Sequence, residues 1–242
     1  MQLAAESKAR LGARAGRVIF DPLMEGRLDG LSYAALPYWR PMESGRLRRR
    51  VKQLILRRGL LDWVAEVAER TAEPAASENV QESFETPLAH MQDSELAEPA
   101  MRRAAEVSLG RLQKSAWRPS NILMHGDLWQ GNILTGPAIV EGQRLHARDR
   151  FFIIDWPGAV PHGYPIFDLV RLSLALRLGT RAASNQIARH CRILECDEID
   201  AVSYLLAALG SIGLNLGHFP PELYAKMSSS CFSMVSRAIA PG

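Results

Sequence analysis

Apolar positions along this chain follow two rhythms. Leu3 to Ala15 and the stretch EPAMRRAAEVSLGRLQKSAW carry them every three to four residues, the spacing that buries one face of a helix. Four later segments, at about Phe167 to Leu178, Ala182 to Leu194, Glu198 to Leu216 and Pro221 to Ala238, do the same. Between Ser44 and about Arg58, Leu47, Val51, Leu54 and Ile55 keep helical register, while Arg46, Arg48, Arg50, Lys52 and Arg57 are among the residues on the other faces. Gly59 is expected to break this helix, and LLDWVAEVAERT to form a second one. Short apolar runs mark strands. RVIFDPLMEGRLDGLSYAALPYW reads as two strands around a turn at Leu28-Asp29-Gly30, because Asp-Gly supplies the positive φ of a tight hairpin. NILM and NIL flank a polar octet, and RLHARDRFFIIDW reads as a hairpin whose second strand ends at Asp155. Residues 71–100 contain no Lys or Arg, several Glu and three Pro, and are expected to form a mobile acidic excursion with at most short helical turns. A small sheet near the N-terminus followed by a mostly helical body is an α+β pattern, not an alternating βαβ one.

Composition narrows the class. With 242 residues, 47% hydrophobic and 23% charged, the chain can bury a sizeable core, which excludes disorder as a whole. A net charge of +3 spread over that length predicts no general attraction to nucleic acid or to a membrane surface. Three cysteines are too few and too irregularly spaced for a disulfide framework or a zinc site, so they read as packing residues in a reducing, cytoplasmic setting. The N-terminal residues have no apolar run after their charges and do not read as a secretory signal. Ala201 to Gly217, the longest uncharged stretch, includes Ser, Asn and Gly and falls short of the ~20 apolar residues of a membrane helix.

The polar octet HGDLWQGN, His125 to Asn132, poses the chemical question, because polar groups between two buried strands need partners. Asp127 and Asn132 are separated by four residues, a spacing that resembles the kinase catalytic loop H-R-D-x-x-x-x-N, in which a carboxylate can accept the proton of an attacking hydroxyl while the amide oxygen turns back to Mg²⁺. FFIIDW then supplies a second carboxylate, Asp155, at the end of an apolar run, where a buried strand delivers its last side chain to a pocket. Taken singly, these residues would read as a turn Asp, a turn Asn and a strand-end cap. A hydrolase built on Asp127 and Asp155 alone would leave the Asp-to-Asn spacing unexplained.

ILMHGDLWQGNIL followed by FFIIDWPGAVPHGYPIFDLVRL resembles the signatures of the aminoglycoside phosphotransferase and choline kinase superfamily, with a catalytic loop similar to that of fructosamine-kinase-like members. The resemblance implies a protein-kinase-like fold in which the γ-phosphate of ATP or GTP passes, with Mg²⁺, to a hydroxyl or amine of a small molecule. It implies Asp127 as the base, and Asn132 and Asp155 as ligands of the metal and its nucleotide. His125 is implied as a structural residue of the loop. Asp168 reads equally as support for the catalytic loop and as the N-cap of the helix that begins there. Gly126, where protein kinases carry an Arg, and the lack of an A-P-E element point away from protein substrates.

The implied layout is a partial N-lobe over residues 1–40, with an αC-like helix, a hairpin and a hinge, followed by a helical C-lobe over 41–242. The catalytic loop is 125–132 and the metal loop 155–158. Glu6 resembles the αC glutamate of the Lys–Glu ion pair, yet no Gly-rich loop or strand Lys precedes it, so the front of the N-lobe is expected to be missing. An exposed sheet edge there predicts self-association. Two readings follow: a small-molecule kinase impaired by that truncation, and a non-catalytic pseudokinase or binding module. The basic run 46–58 reads as a solvated helix face or as a contact for an anionic partner, and Trp39 as a neighbour of the nucleotide or a packing residue.

Overall fold

Helix α1 (Gln2–Gly16) opens the chain in the computed structural model, which describes residues 2–41, 46–136, 139–140 and 143–240. Strands β1 (Met24–Leu28) and β2 (Leu31–Ala35) pair antiparallel with Leu28 opposite Leu31. Asp29 and Gly30 between them have φ of 49° and 81°, so the hairpin turns on two left-handed residues as its sequence demands. A short strand β3 (Arg40–Pro41) follows.

Helix α2 (Arg46–Thr71) is one continuous element of 26 residues, and Gly59 does not break it. A Cβ on Gly59 would stand 2.0 Å from the carbonyl oxygen of Arg148, so the glycine is there to let another backbone lie against the helix. The burial of α2 also differs from the expected face: Val51, Leu54 and Ile55 are exposed, while Gln53 and Leu56 are buried and the Gln53 amide donates to the Ala175 carbonyl at 3.1 Å. Ser44, where this helix was expected to start, lies outside the described residues. Arg50 and Arg58 are exposed, as a solvated basic face requires.

The stretch 71–100 is a packed part of the fold, not a mobile excursion. Strand β4 (Glu73–Pro74) pairs with β5 (Ser120–Met124), and a π-helical turn over Gln81–Glu85 runs into α3 (Thr86–Asp93). Phe84, Leu88 and Met91 are fully buried, and the Phe84 ring meets Trp117, Tyr164 and Tyr204 edge-on. Three apolar residues at helical spacing outweigh the acidic composition of the rest.

Helix α4 (Pro99–Gln113) leads to β5. Strand β6 (Ile133–Thr135) comes next, then the small pair β7 (Ile139–Val140) and β8 (Gln143–Arg144), and then β9 (Phe151–Ile153). The hairpin expected within 144–156 is arranged differently. β9 pairs with β6, Ile133 opposite Ile153, and β8 pairs with β7. β3 lies on the other side of β6, and β10 (Val160–Gly163) pairs with β5. Helices α5 (Phe167–Ala175), α6 (Thr180–Ile193), α7 (Glu198–Leu214) and α8 (Pro221–Ile239) complete an α+β chain close to the expected boundaries. α7 carries a capping box, in which Asp197 and Asp200 each accept the other's backbone N–H. One apolar cluster includes Leu11 and Val18 as well as Leu60, Ile153, Leu205 and Val235, so the N-terminal segment and the helical body share a core. Trp39 packs: its ring stacks on Phe152 at 5.9 Å.

Candidate functional site

Strand β5 is apolar from Ile122 to Met124 and ends by delivering His125 into the interior, 2% exposed and edge-on to the Trp156 ring at 4.8 Å. The Asp127 N–H donates to His125 Nδ1 at 3.3 Å, and His125 Nε2 meets the Ile154 carbonyl at 2.9 Å. Both ring nitrogens are thereby committed to backbone. Gly126 has a φ of +83°, and a Cβ on it would come within 3.1 Å of the Gly158 carbonyl. The loop after β5 therefore lies close against the loop after β9.

Asp168 supports this loop from α5. Its carboxylate accepts the N–H of His125 at 2.6 Å and that of Gly126 at 3.1 Å. Burial pushes its carboxyl above the ordinary carboxylate range, and the two N–H groups oppose that shift. The N-cap of α5 is Ile166, with no side-chain cap bond, so Asp168 does not cap this helix. Ile166 stands at φ 73°, a strained position for a β-branched residue, at the point where α5 begins.

Asn132 is buried, and its Nδ2 donates to the carbonyl of Asp127 at 2.9 Å and to its Oδ2 at 3.0 Å. The Asp127 side chain is about half exposed, and Arg171 Nη2 stands 3.5 Å from its Oδ1. Ile154 ties the two loops together, because its N–H donates to the Asn132 carbonyl at 3.0 Å while its own carbonyl serves His125. The next residue, Asp155, is left-handed (φ 68°, ψ 51°) and exposed. His125, Asp127, Asn132 and Asp168 thus form one hydrogen-bonded unit, with Asp155 joined to it through the backbone of Ile154. Glu6 is not part of it: it is exposed on α1 and accepts from Gln2 at 2.9 Å.

Arg171 was not among the residues singled out in the sequence. The available signal was its position three residues after Asp168, which places both on one face of a helix. Asn132 Oδ1 and the Asp155 carboxylate are hard oxygen donors of the kind Mg²⁺ takes, and the Nδ2 of Asn132 is already committed to Asp127. Among the described residues no three His, Cys, Asp or Glu side chains gather as a metal site, and the donor set here has only one carboxylate of that kind beside an amide. A separate cleft of about 590 Å³ between α1, α2 and residues 144–149 contains none of these residues. Its charges are largely paired with one another, as in Arg189–Asp62 at 2.7 Å and Arg70–Glu66 at 2.9 Å.

Among the described residues no helix is long and apolar enough to cross a membrane. Compared with the known protein families, the chain matches none, and no curated protein matches it either.

Proposed function

We propose that this chain is a Mg²⁺-dependent phosphotransferase of kinase-like fold that moves the γ-phosphate of ATP or GTP to a hydroxyl or amine of a small molecule. One observation carries the reading: Asn132 holds the carbonyl and the carboxylate of Asp127 through its amide nitrogen, and its amide oxygen is a donor of the type Mg²⁺ takes. Asp127, half exposed and oriented from below, can take the proton of the acceptor as the acceptor oxygen or nitrogen bonds to the γ-phosphorus. The bond from phosphorus to the bridging oxygen breaks, and the nucleoside diphosphate leaves with its electron pair. Asn132 and Asp155 would hold Mg²⁺, which supplies positive charge to the phosphates when bound. On this reading α1 takes the place of the αC-like helix, and residues 41–242, with α2 to α8, that of the larger lobe. Leu23, Met24, Leu28 and Leu31, exposed on or beside the hairpin, support self-association.

A second reading, a non-catalytic binding module that keeps this fold, is favoured by Glu6, which meets Gln2 and no cation among the described residues. Calorimetric titration with ATP and GTP, joined to a transfer assay over sugars, aminoglycosides and choline-like amines, separates the two. The phosphotransferase reading expects nucleotide binding that needs Mg²⁺ or Mn²⁺ and weakens in Asn132→Ala and Asp155→Ala. Equal affinity with EDTA and with Mg²⁺ would sink the metal assignment, and metal-dependent binding without transfer would favour the module.

A further inference from the structure

We infer that Arg171 is the cation that meets the transferred phosphoryl group; the inference rests on the phosphotransfer reading of Asp127. Arg171 lies on α5 one turn beyond Asp168, whose carboxylate fastens that helix to the backbone of His125 and Gly126. The catalytic loop and the guanidinium are therefore parts of one braced assembly. The Arg171 side chain is only 22% exposed, its Nη2 stands 3.5 Å from Asp127 Oδ1, and its buried Nε has no hydrogen-bond partner. A guanidinium has five donors in a planar fork; this one meets Asp127 at the outer limit of a hydrogen bond and also lies beside the buried Cys231 thiol. A cation largely withdrawn from water and held to an open carboxylate by one long contact can take a second anion there.

The geometry also selects that anion. A ligand that reaches Arg171 must sit against Asp127, next to Asn132, where an acceptor hydroxyl and the terminal phosphate of a nucleotide have to meet. A planar fork matches the oxygens of a phosphoryl group, and positive charge aimed at them is worth most in a site with little water. Before nucleotide binds, the guanidinium rests on Asp127. With nucleotide bound, it is shared between the base and the γ-phosphoryl group and aligns the two. Of the basic run of α2, Arg50 and Arg58 are exposed, and Arg58 faces Asp62 at 3.7 Å.

The test compares Mg-ADP with the Mg complex of β,γ-imido-ATP, by calorimetry, on the wild type, Arg171→Met and Arg171→Lys. If Arg171 meets the γ-phosphoryl group, Arg171→Met loses roughly tenfold to a hundredfold on the triphosphate analogue, while Mg-ADP affinity is unchanged. Arg171→Lys keeps the charge without the fork and should lose less, again on the triphosphate alone; it also serves if the Met variant fails to fold. Equal losses on both nucleotides, or no loss on either, would overturn the assignment of Arg171 and leave the phosphotransfer reading standing. A wild type that binds neither nucleotide would remove both.

Discussion

Asp168 accepts the backbone N–H groups of His125 and Gly126, at 2.6 and 3.1 Å, from a helix some forty residues further along the chain. This one carboxylate sets the shape of the loop that presents Asp127. Removing it in Asp168→Ala leaves two inward N–H groups without an acceptor, each worth about 1–3 kcal/mol. Urea unfolding should show a loss of roughly 2–6 kcal/mol on that basis, with Asp168→Asn intermediate because an amide offers one oxygen. An Ala variant as stable as the wild type would mean that the loop is held by other bonds.

The proposed base has a sharper expectation. Asp127→Asn keeps the size of the side chain and can still meet Asn132, but it cannot take a proton. Once an acceptor is identified, turnover should fall by about 10²–10⁴-fold, with nucleotide affinity nearly unchanged. Near-normal kcat in this variant would move the base to another group.

Two glycines in helices should respond in opposite directions to alanine. Gly110 in α4 has nothing within 4 Å of where a Cβ would stand, so Gly110→Ala should stabilise by about 0.5–1 kcal/mol through helix propensity. At Gly59 the same change drives a methyl group to 2.0 Å from the Arg148 carbonyl, and overpacking of this kind costs about 1–3 kcal/mol, more than propensity returns. Thermal unfolding of the two variants side by side checks the contrast. Stabilisation by both would show that residues 147–149 can move off α2.

His190 gives a pH dependence. Burial lowers its imidazole from 6.5 to about 4 in the folded chain, with Nδ1 bonded to the Gln186 carbonyl at 2.9 Å. Between these values the unfolded chain holds the extra proton, so this contribution to stability is complete above pH 6.5 and is lost as pH falls towards 4. The full span corresponds to about 3 kcal/mol. Urea titrations at pH 7 and pH 4.5 should show a smaller acid loss in His190→Gln than in the wild type; equal losses would place a charged imidazole in the core.

Local chemistry was legible wherever near neighbours decide it. Asp29-Gly30 specified its hairpin, helical periodicity marked α4 to α8 to within a few residues, and the polar octet between apolar strands marked the loop that His125, Asp127 and Asn132 share. The role of Asp168 stayed open between cap and support, because both begin with an Asp at a helix start and differ only in which distant N–H groups reach it.

By itself, then, the sequence determined helices α1 and α4 to α8, the N-terminal turn and the order of the site residues along the chain, since backbone preference and periodicity act over a few neighbouring positions. Tertiary structure alone decided what depends on residues far apart. The backbone at Arg148 makes Gly59 a contact and not a break. The rings of Trp117, Tyr164 and Tyr204 bury Phe84 in a stretch whose composition reads as solvated. β9 takes β6 as its partner although β8 is nearer along the chain, and Arg171 comes to Asp127 across 44 residues. Burial and pairing are properties of the partner as much as of the residue, and the partner is chosen only when the chain closes on itself.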